Sequence, residues 1–201
     1  MRELTFFDMA RSSDVKRWHI INTVRPQTVA EHSFMVALIA LELTKKLTVT
    51  GSFFDSPREQ FQFLCAALFH DMPETVYGDL PTPGKAVMRE FTENPYMFDE
   101  LDMRIMPNVP YAEGLLSPSL GWIIRVADLM EAYHFLCNNA AGPYAKQVRD
   151  ALYGRLIKFT AEASSAMPNL KWPSAVIETL KDLGLTKPPA VYGDAEKDER
   201  I

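Results

Sequence analysis

Histidine is scarce in this chain: four among 201 residues. A structural role in every case would be an uneconomical use of so few imidazoles, so the surroundings of each carry information. Cysteine is scarcer still, with only Cys65 and Cys137. Both fall in apolar helical runs, which excludes a disulfide framework and fits free thiols in a reducing compartment. Positive charge is not in excess: the net charge is −5, so the whole-molecule field favours neither nucleic acid nor an anionic membrane surface. Long apolar runs are absent. The run through Met35–Leu41 ends at Glu42, far short of the ~20 residues a membrane helix needs. No basic segment followed by an apolar stretch opens the chain, so no signal peptide is expected. Alternating strand patterns and internal repeats are missing as well. A soluble, cytoplasmic, mostly helical protein is the expectation.

What is present are helix signals. Thr28 followed by Glu31 forms a capping box and predicts a helix from about Val29 to Leu47. Its residues are apolar nearly all round, among them Phe34, Ala37, Leu38 and Leu41, which predicts a central, buried helix. Ser56-Pro57-Arg58-Glu59 predicts a second helix start, with Ser as cap and Pro at the first helical position. That helix should run to His70-Asp71, where Pro73 ends or kinks it. Residues 78–85 read as a loop by their Pro and Gly content. Further helices are expected over 85–106, 119–139, up to about Ala166, and from Pro173 to Leu183. A short helix is expected within 3–13. Residues 1–186 are expected to form one domain, and the polar stretch 187–201 a loose tail.

Four side chains stand out against this background: His32, His70, Asp71 and Asp128. Two imidazoles and two carboxylates suit one divalent cation. They sit on three predicted helices, which can converge in a bundle. Neighbours on a straight helix diverge by about 100°, but a helix end at His70-Asp71 allows both side chains to turn toward one point. Each has a plainer reading. His32 could be a hydrogen-bonded core histidine, His70-Asp71 a polar helix end, and Asp128 an acid paired with Arg125. Asp128 weighs most, because a carboxylate among Ile124, Val126, Ala127 and Leu129 is costly to bury unless paired or metal-bound.

The four, in this order and on helices, resemble the HD-domain metal-dependent phosphohydrolases. Lys16-Arg17-Trp18, Glu31-His32-Ser33, His70-Asp71 with Glu74, and Gly78-Asp79-Leu80-Pro81-Thr82-Pro83 with Lys85 resemble the bacterial 5′-deoxynucleotidase branch. The compact phage dATP triphosphohydrolases are similar to that branch. The likeness covers roughly residues 5–145.

The resemblance implies an all-α, single-domain helical bundle. It implies a metal held by His32, His70, Asp71 and Asp128, with Co, Mn or Zn foremost. Residues 72–127 lack histidine, which favours one metal over two. Glu74 and Asp79 are then the catalytic candidates, since Glu74 follows the metal pair closely enough to orient or deprotonate a water. Arg17, Trp18 and Lys85 are the substrate-binding candidates: a planar fork for phosphate, an aromatic for sugar or base, and a second cation. Their plainer readings are a turn residue for Asp79, a surface acid for Glu74, and a core Trp with a snorkelling Arg.

The reaction implied is hydrolysis of 2′-deoxynucleotide phosphates at the 5′ position, with deoxynucleoside 5′-monophosphates as the leading substrate. Release of tripolyphosphate from dATP and a non-catalytic nucleotide sensor are the alternatives. A purely structural helical adaptor is a third class. A homodimer or higher homo-oligomer is the expected assembly.

Overall fold

Val29–Leu47 and Pro118–Asn139 are the two helices around which the molecule is arranged. The computed structural model describes residues 3–48, 53–106 and 117–185. Over these the order is α1 (Phe6–Ala10), a 3₁₀ turn (Arg11–Ser13), α2 (Val29–Leu47), α3 (Pro57–Phe69), α4 (Glu74–Tyr77), α5 (Thr82–Phe91), α6 (Met97–Ile105), α7 (Pro118–Asn139), α8 (Pro143–Ala166) and α9 (Trp172–Asp182). No named strand occurs among the described residues, only two isolated bridges. The expected all-α bundle is what forms.

The start signals act as read. Thr28 accepts from the Glu31 amide at 3.1 Å, and Glu31 accepts from the Thr28 amide at 2.9 Å, closing the capping box of α2. Ser56 caps α3 by accepting from the Glu59 amide at 3.2 Å. α7 packs against α2 and α8, while α2 also touches α3 and α9. Val36, Ala40 and Leu43 of α2 meet Ile123, Val126 and Met130 of α7 in the main core, all fully buried. The larger of these, Val36, Leu43, Ile123, Val126 and Met130, each contribute about 1.5–3 kcal/mol through burial.

Three expectations need correction. α2 is central but not buried all round: Phe34 and Leu38 are 57% and 45% exposed. They lie four residues apart on its outer face, where i and i+4 fall together. The predicted loop 78–85 is shorter, because α5 begins at Thr82 with Pro83 in its first turn, a position that tolerates proline since those amides have no intrahelical acceptor. The predicted single helix 85–106 is two, α5 and α6. They are separated at 92–96, where Glu93 takes a left-handed φ of 52° and Pro95 follows. α9 starts at Trp172 and ends at Asp182, within a residue of expectation. The expected tail from Lys187 lies outside the described residues. No described helix is long and apolar enough to cross a membrane.

Residues 14–28 join the 3₁₀ turn to α2 and lie against both central helices. The Arg17 amide donates to Gln27 O at 2.8 Å and the Val29 amide to Val15 O at 3.0 Å, which zips the two ends of this segment together. Its tip is fixed to the end of α7, with the Val24 amide donating to Asn139 O at 2.8 Å and the Ala141 amide to Asn22 O at 2.9 Å. This fastening presents Arg17 and Trp18 beside the inner faces of α2 and α7.

Candidate metal centre

The HD pair sits where α3 stops. His70 is the C-cap residue of α3, and Pro73 precedes α4, so the chain turns between them. That turn brings both side chains to one side. His70 Nε2 lies 3.4 Å from Asp71 Oδ2. His32, in the first turns of α2 and fully buried, meets them: its Nε2 is 3.3 Å from His70 Nε2 and 3.3 Å from Asp71 Oδ2. One donor atom from each of His32, His70 and Asp71 lies within 4.8 Å of the others. Asp128 approaches from α7, its Oδ1 3.2 Å from His32 Nε2. The four predicted ligands are thus brought together from α2, the α3–α4 turn and α7. Asp128 is not sealed in apolar surroundings, as its neighbours in sequence suggested; its side chain is 42% exposed and opens on a cavity.

Both imidazoles have their far nitrogens engaged. His70 Nδ1–H donates to Ala67 O at 2.8 Å. His32 Nδ1 meets the Glu131 carboxylate. Each ring therefore turns its Nε2 toward the common point, the arrangement found behind metal-binding histidines. Burial would raise the Asp71 pKa, but His70, His32 and Arg17 hold it well below the usual carboxylate range. Asp128 is likewise lowered against burial, chiefly by its hydrogen bond with His32. Two ionised carboxylates and two inward imidazole nitrogens fit one divalent cation.

Beside this centre is a cavity of about 240 Å³ lined by Arg17, Trp18, Glu74, Asp79, Lys85 and Asp128, among others. All five predicted residues outside the ligand set reach it. Glu74, the first residue of α4, is 2% exposed. Its Oε1 accepts from Lys85 Nζ at 3.0 Å, while its Oε2 is buried without a hydrogen-bond partner. Burial and Asp71 push its pKa up to about 8, against the pull of Lys85. Lys85 is therefore on a carboxylate here, not standing free for phosphate. Arg17 Nε lies 4.0 Å from Asp79, and its Nη1 is 3.9 Å from Glu131 and buried without a hydrogen bond. Its guanidinium sits 5.6 Å from the Trp18 ring centre. Asp79 follows Gly78, whose φ of 82° turns the chain out of α4 toward the cavity. His19 also lines the cavity. Arg25 does not; it pairs with Glu31 at 3.0 Å at the surface.

Glu131 and Gln27 were not legible as site residues. Both are 2% exposed, and Gln27 Nε2 donates to Glu131 Oε1 at 2.6 Å. A signal existed: Glu131 lies three residues after Asp128, hence on the same face of α7, and it is a charge between Met130 and Ala132. Arg155, Tyr144 and Val148 of α8 also line the cavity and carry no sequence signal at all.

The helical order and this donor set define the HD-domain class of phosphohydrolases. Within that class, the chain belongs to the family described as 5′-deoxynucleotidase YfbR-like, whose model matches residues 5–138. A dATP triphosphohydrolase of Acinetobacter phage SH-Ab 15497 is 28% identical over 185 residues, spanning 87% of this chain and 89% of that protein. A 5′-deoxynucleotidase of Shewanella oneidensis is 28% identical over 139 residues, 64% of this chain and 70% of its own length. Among solved structures, the Cyanophage S-2L HD phosphohydrolase bound to dA and one catalytic Zn²⁺ ion aligns with a TM-score of 0.73. It covers 92% of this chain and 100% of its own at 23% identity, a likeness of fold.

Proposed function

We propose that this protein hydrolyses the 5′-phosphate linkage of 2′-deoxynucleotides at one divalent cation held by His32, His70, Asp71 and Asp128. The observation that carries the reading is the convergence of the two Nε2 atoms and Asp71 within 4.8 Å, with both distal ring nitrogens already committed, at the edge of a cavity holding Arg17. The family and the relatives named above support the same chemistry, and zinc is the metal bound by the solved relative. When bound, such a cation acidifies water and neutralises phosphoryl charge.

The chain's own residues supply the rest. Arg17 Nη1, buried and unsatisfied, receives a phosphoryl oxygen as a charge-assisted donor. Glu74 takes a proton on its unpartnered Oε2 as the attacking water is consumed; such general-base help contributes typically ~10²–10⁴-fold. Lys85 fixes Glu74 through Oε1 and tunes it. Asp79, on the cavity wall 4.0 Å from Arg17, holds that guanidinium in place. Trp18 forms a flat wall for sugar or base.

The leading substrate is a deoxynucleoside 5′-monophosphate. The family model, described as 5′-deoxynucleotidase YfbR-like, supports that order of preference. A second reading, dATP to deoxyadenosine and tripolyphosphate, is favoured by the phage triphosphohydrolase that spans most of this chain, α8 included, and by Arg155 of α8 on the cavity wall. Both break the bond at the 5′-linked phosphorus, so one centre serves either. Incubating Zn-, Mn- or Co-loaded protein with dNMP, dNTP and ribonucleotide panels separates them. Phosphate from dNMPs alone supports the first, tripolyphosphate from dATP the second. Absence of product from both panels with metal bound returns the protein to a nucleotide sensor.

A further inference from the structure

Trp18, Gln27, Glu131 and His32 form a chain of hydrogen bonds running from the cavity wall to the metal centre. Trp18 Nε1–H donates to Gln27 Oε1 at 2.8 Å, Gln27 Nε2–H donates to Glu131 Oε1 at 2.6 Å, and Glu131 Oε2 meets His32 Nδ1. Gln27, Glu131 and His32 are essentially inaccessible, at 2%, 2% and 0% exposure.

The donor and acceptor roles in this chain are not free. An indole N–H can only donate, so the oxygen of the Gln27 amide must face Trp18. Its nitrogen must then face Glu131, which must accept there. The second Glu131 oxygen is left to accept from His32 Nδ1–H. With Nδ1–H committed to Glu131, Nε2 is the nitrogen left to face His70, Asp71 and Asp128, and the one that gives up its proton when a cation binds. Reversing any one link would set donor against donor inside a buried network, at the cost of an unsatisfied polar group.

The backbone at Trp18 points the same way. Its φ is 67°, a left-handed conformation that a bulky residue adopts only when its surroundings impose it. Those surroundings are the bond to Gln27, a parallel stack on Phe135 with ring centres 6.0 Å apart and planes within 2°, and the Arg17 to Gln27 backbone bond at 2.8 Å.

We infer that Gln27 and Glu131 are positioning residues that fix the tautomer of His32 from the indole of Trp18, and so couple the substrate wall to the metal centre. The inference rests on the metal reading above. It predicts that a change at Trp18, three hydrogen bonds away from His32, alters metal binding. Partners behind a metal-binding histidine are typically worth ~10–100-fold in metal affinity, and the effect should fall with distance along the chain.

The test is Zn(II) affinity by competition with a chromophoric chelator, together with the visible spectrum of the Co(II) form and the melting temperature of the metal-free protein. Gln27→Met keeps the volume and removes both bonds; Trp18→Phe keeps an aromatic ring but removes the indole N–H together with the five-membered ring that carries it. Gln27→Met should weaken Zn(II) by about 10-fold or more, and Trp18→Phe by about three- to tenfold, scaled from the same range. Both should change the Co(II) spectrum. The double variant should bind no more weakly than Gln27→Met alone, because the relay is already cut. Wild-type affinity and spectrum in both variants, with only the melting temperature lowered, would make the network structural and overturn the coupling. Additive losses in the double variant would overturn it too. No Zn(II) or Co(II) binding by the wild-type protein would sink the metal reading and this inference with it.

Discussion

Lys85 offers the sharpest test of the mechanism, because sequence and structure assign it different work. By sequence it is a second phosphate cation. In the structure its ammonium lies 3.0 Å from Glu74 Oε1, and the Glu74 side chain is 3% exposed. Replacing it as Lys85→Met preserves the stem and removes the charge. A hydrogen bond to a charged group is worth about 1.5–3 kcal/mol, and each pKa unit corresponds to about 1.4 kcal/mol. Losing Lys85 should therefore raise the Glu74 pKa by about one to two units relative to the wild-type enzyme. Burial and Asp71 already push it up to about 8 without metal, and Lys85 is the first of the influences opposing them.

A base must be ionised to act, so the sign is fixed. The acid limb of kcat/KM should move upward by about one to two pH units, losing about 10- to 100-fold in rate on that limb and recovering it as pH rises. The assay is a pH–rate profile by phosphate or tripolyphosphate release, with Glu74→Gln as the reference for complete loss of the base. An unshifted acid limb, with only KM raised at every pH, would refute the reasoning and make Lys85 a phosphate contact. A Glu74→Gln enzyme of near wild-type turnover would remove the base altogether.

The other expectations are briefer. His70→Ala or Asp71→Ala should lose more than about 100-fold in Zn(II) affinity, beyond what outer partners cost, read by chelator competition. In the metal-free protein, burial and Arg17 lower the His32 pKa, but hydrogen bonds with Asp128, Asp71 and Glu131 carry it well above its usual value. Metal binding must then release that proton, so affinity should fall by about tenfold per pH unit per proton as pH drops below that raised pKa; calorimetry in two buffers of different ionisation enthalpy counts the protons. Gly78→Ala should cost about 1–3 kcal/mol in urea unfolding. The penalty is purely one of backbone, since φ is +82° and an added Cβ would meet nothing within 4 Å. Arg155→Ala should raise KM for dATP by roughly fivefold, the worth of an exposed ionic contact near 1 kcal/mol, and leave dAMP unchanged; equal effects on both substrates would detach Arg155 from the outer phosphates.

What sequence made legible follows the reach of each signal. Caps are local, so the starts of α2 and α3 could be read from Thr28, Glu31 and Ser56, and the end of α3 from Pro73. The break between α5 and α6 was missed because residues 85–106 carry an apolar pattern on both sides of it, and a left-handed Glu93 has no strong signature. The exposure of Phe34 and Leu38 was hidden for a related reason. A helix rich in apolar residues does not show which face meets the core until its neighbours are in place. His32, His70, Asp71 and Asp128 could be singled out as candidate ligands because few other residue types bind metals well, and the fold brings them together. Gln27 could not, and Glu131 offered only its spacing from Asp128, because an amide and a carboxylate have many ordinary uses, and the bond that gives them a role joins residues 104 apart.

That difference bears on where substrate choice resides. The family model ends at residue 138, within the last turn of α7, so the proposed metal ligands, Glu74, Asp79, Lys85, Arg17 and Trp18 all fall inside the matched part. The cavity does not end there. Tyr144, Val148, Leu152 and Arg155 close it from α8, held on α7 by packing of Leu152 and Leu156 in the shared core. Chemistry at the ester phosphorus needs only the first group. Discrimination between a phosphate and a triphosphate depends on what lies beyond that phosphorus, and between bases on what faces the ring. Both are set by contacts that the cleavage step does not require. A centre common to the family can thus serve different nucleotides through changes confined to a helix outside the family's shared sequence pattern. For this chain, a substitution on α8 such as Arg155→Ala is therefore expected to alter the choice between substrates before it alters the cleavage step.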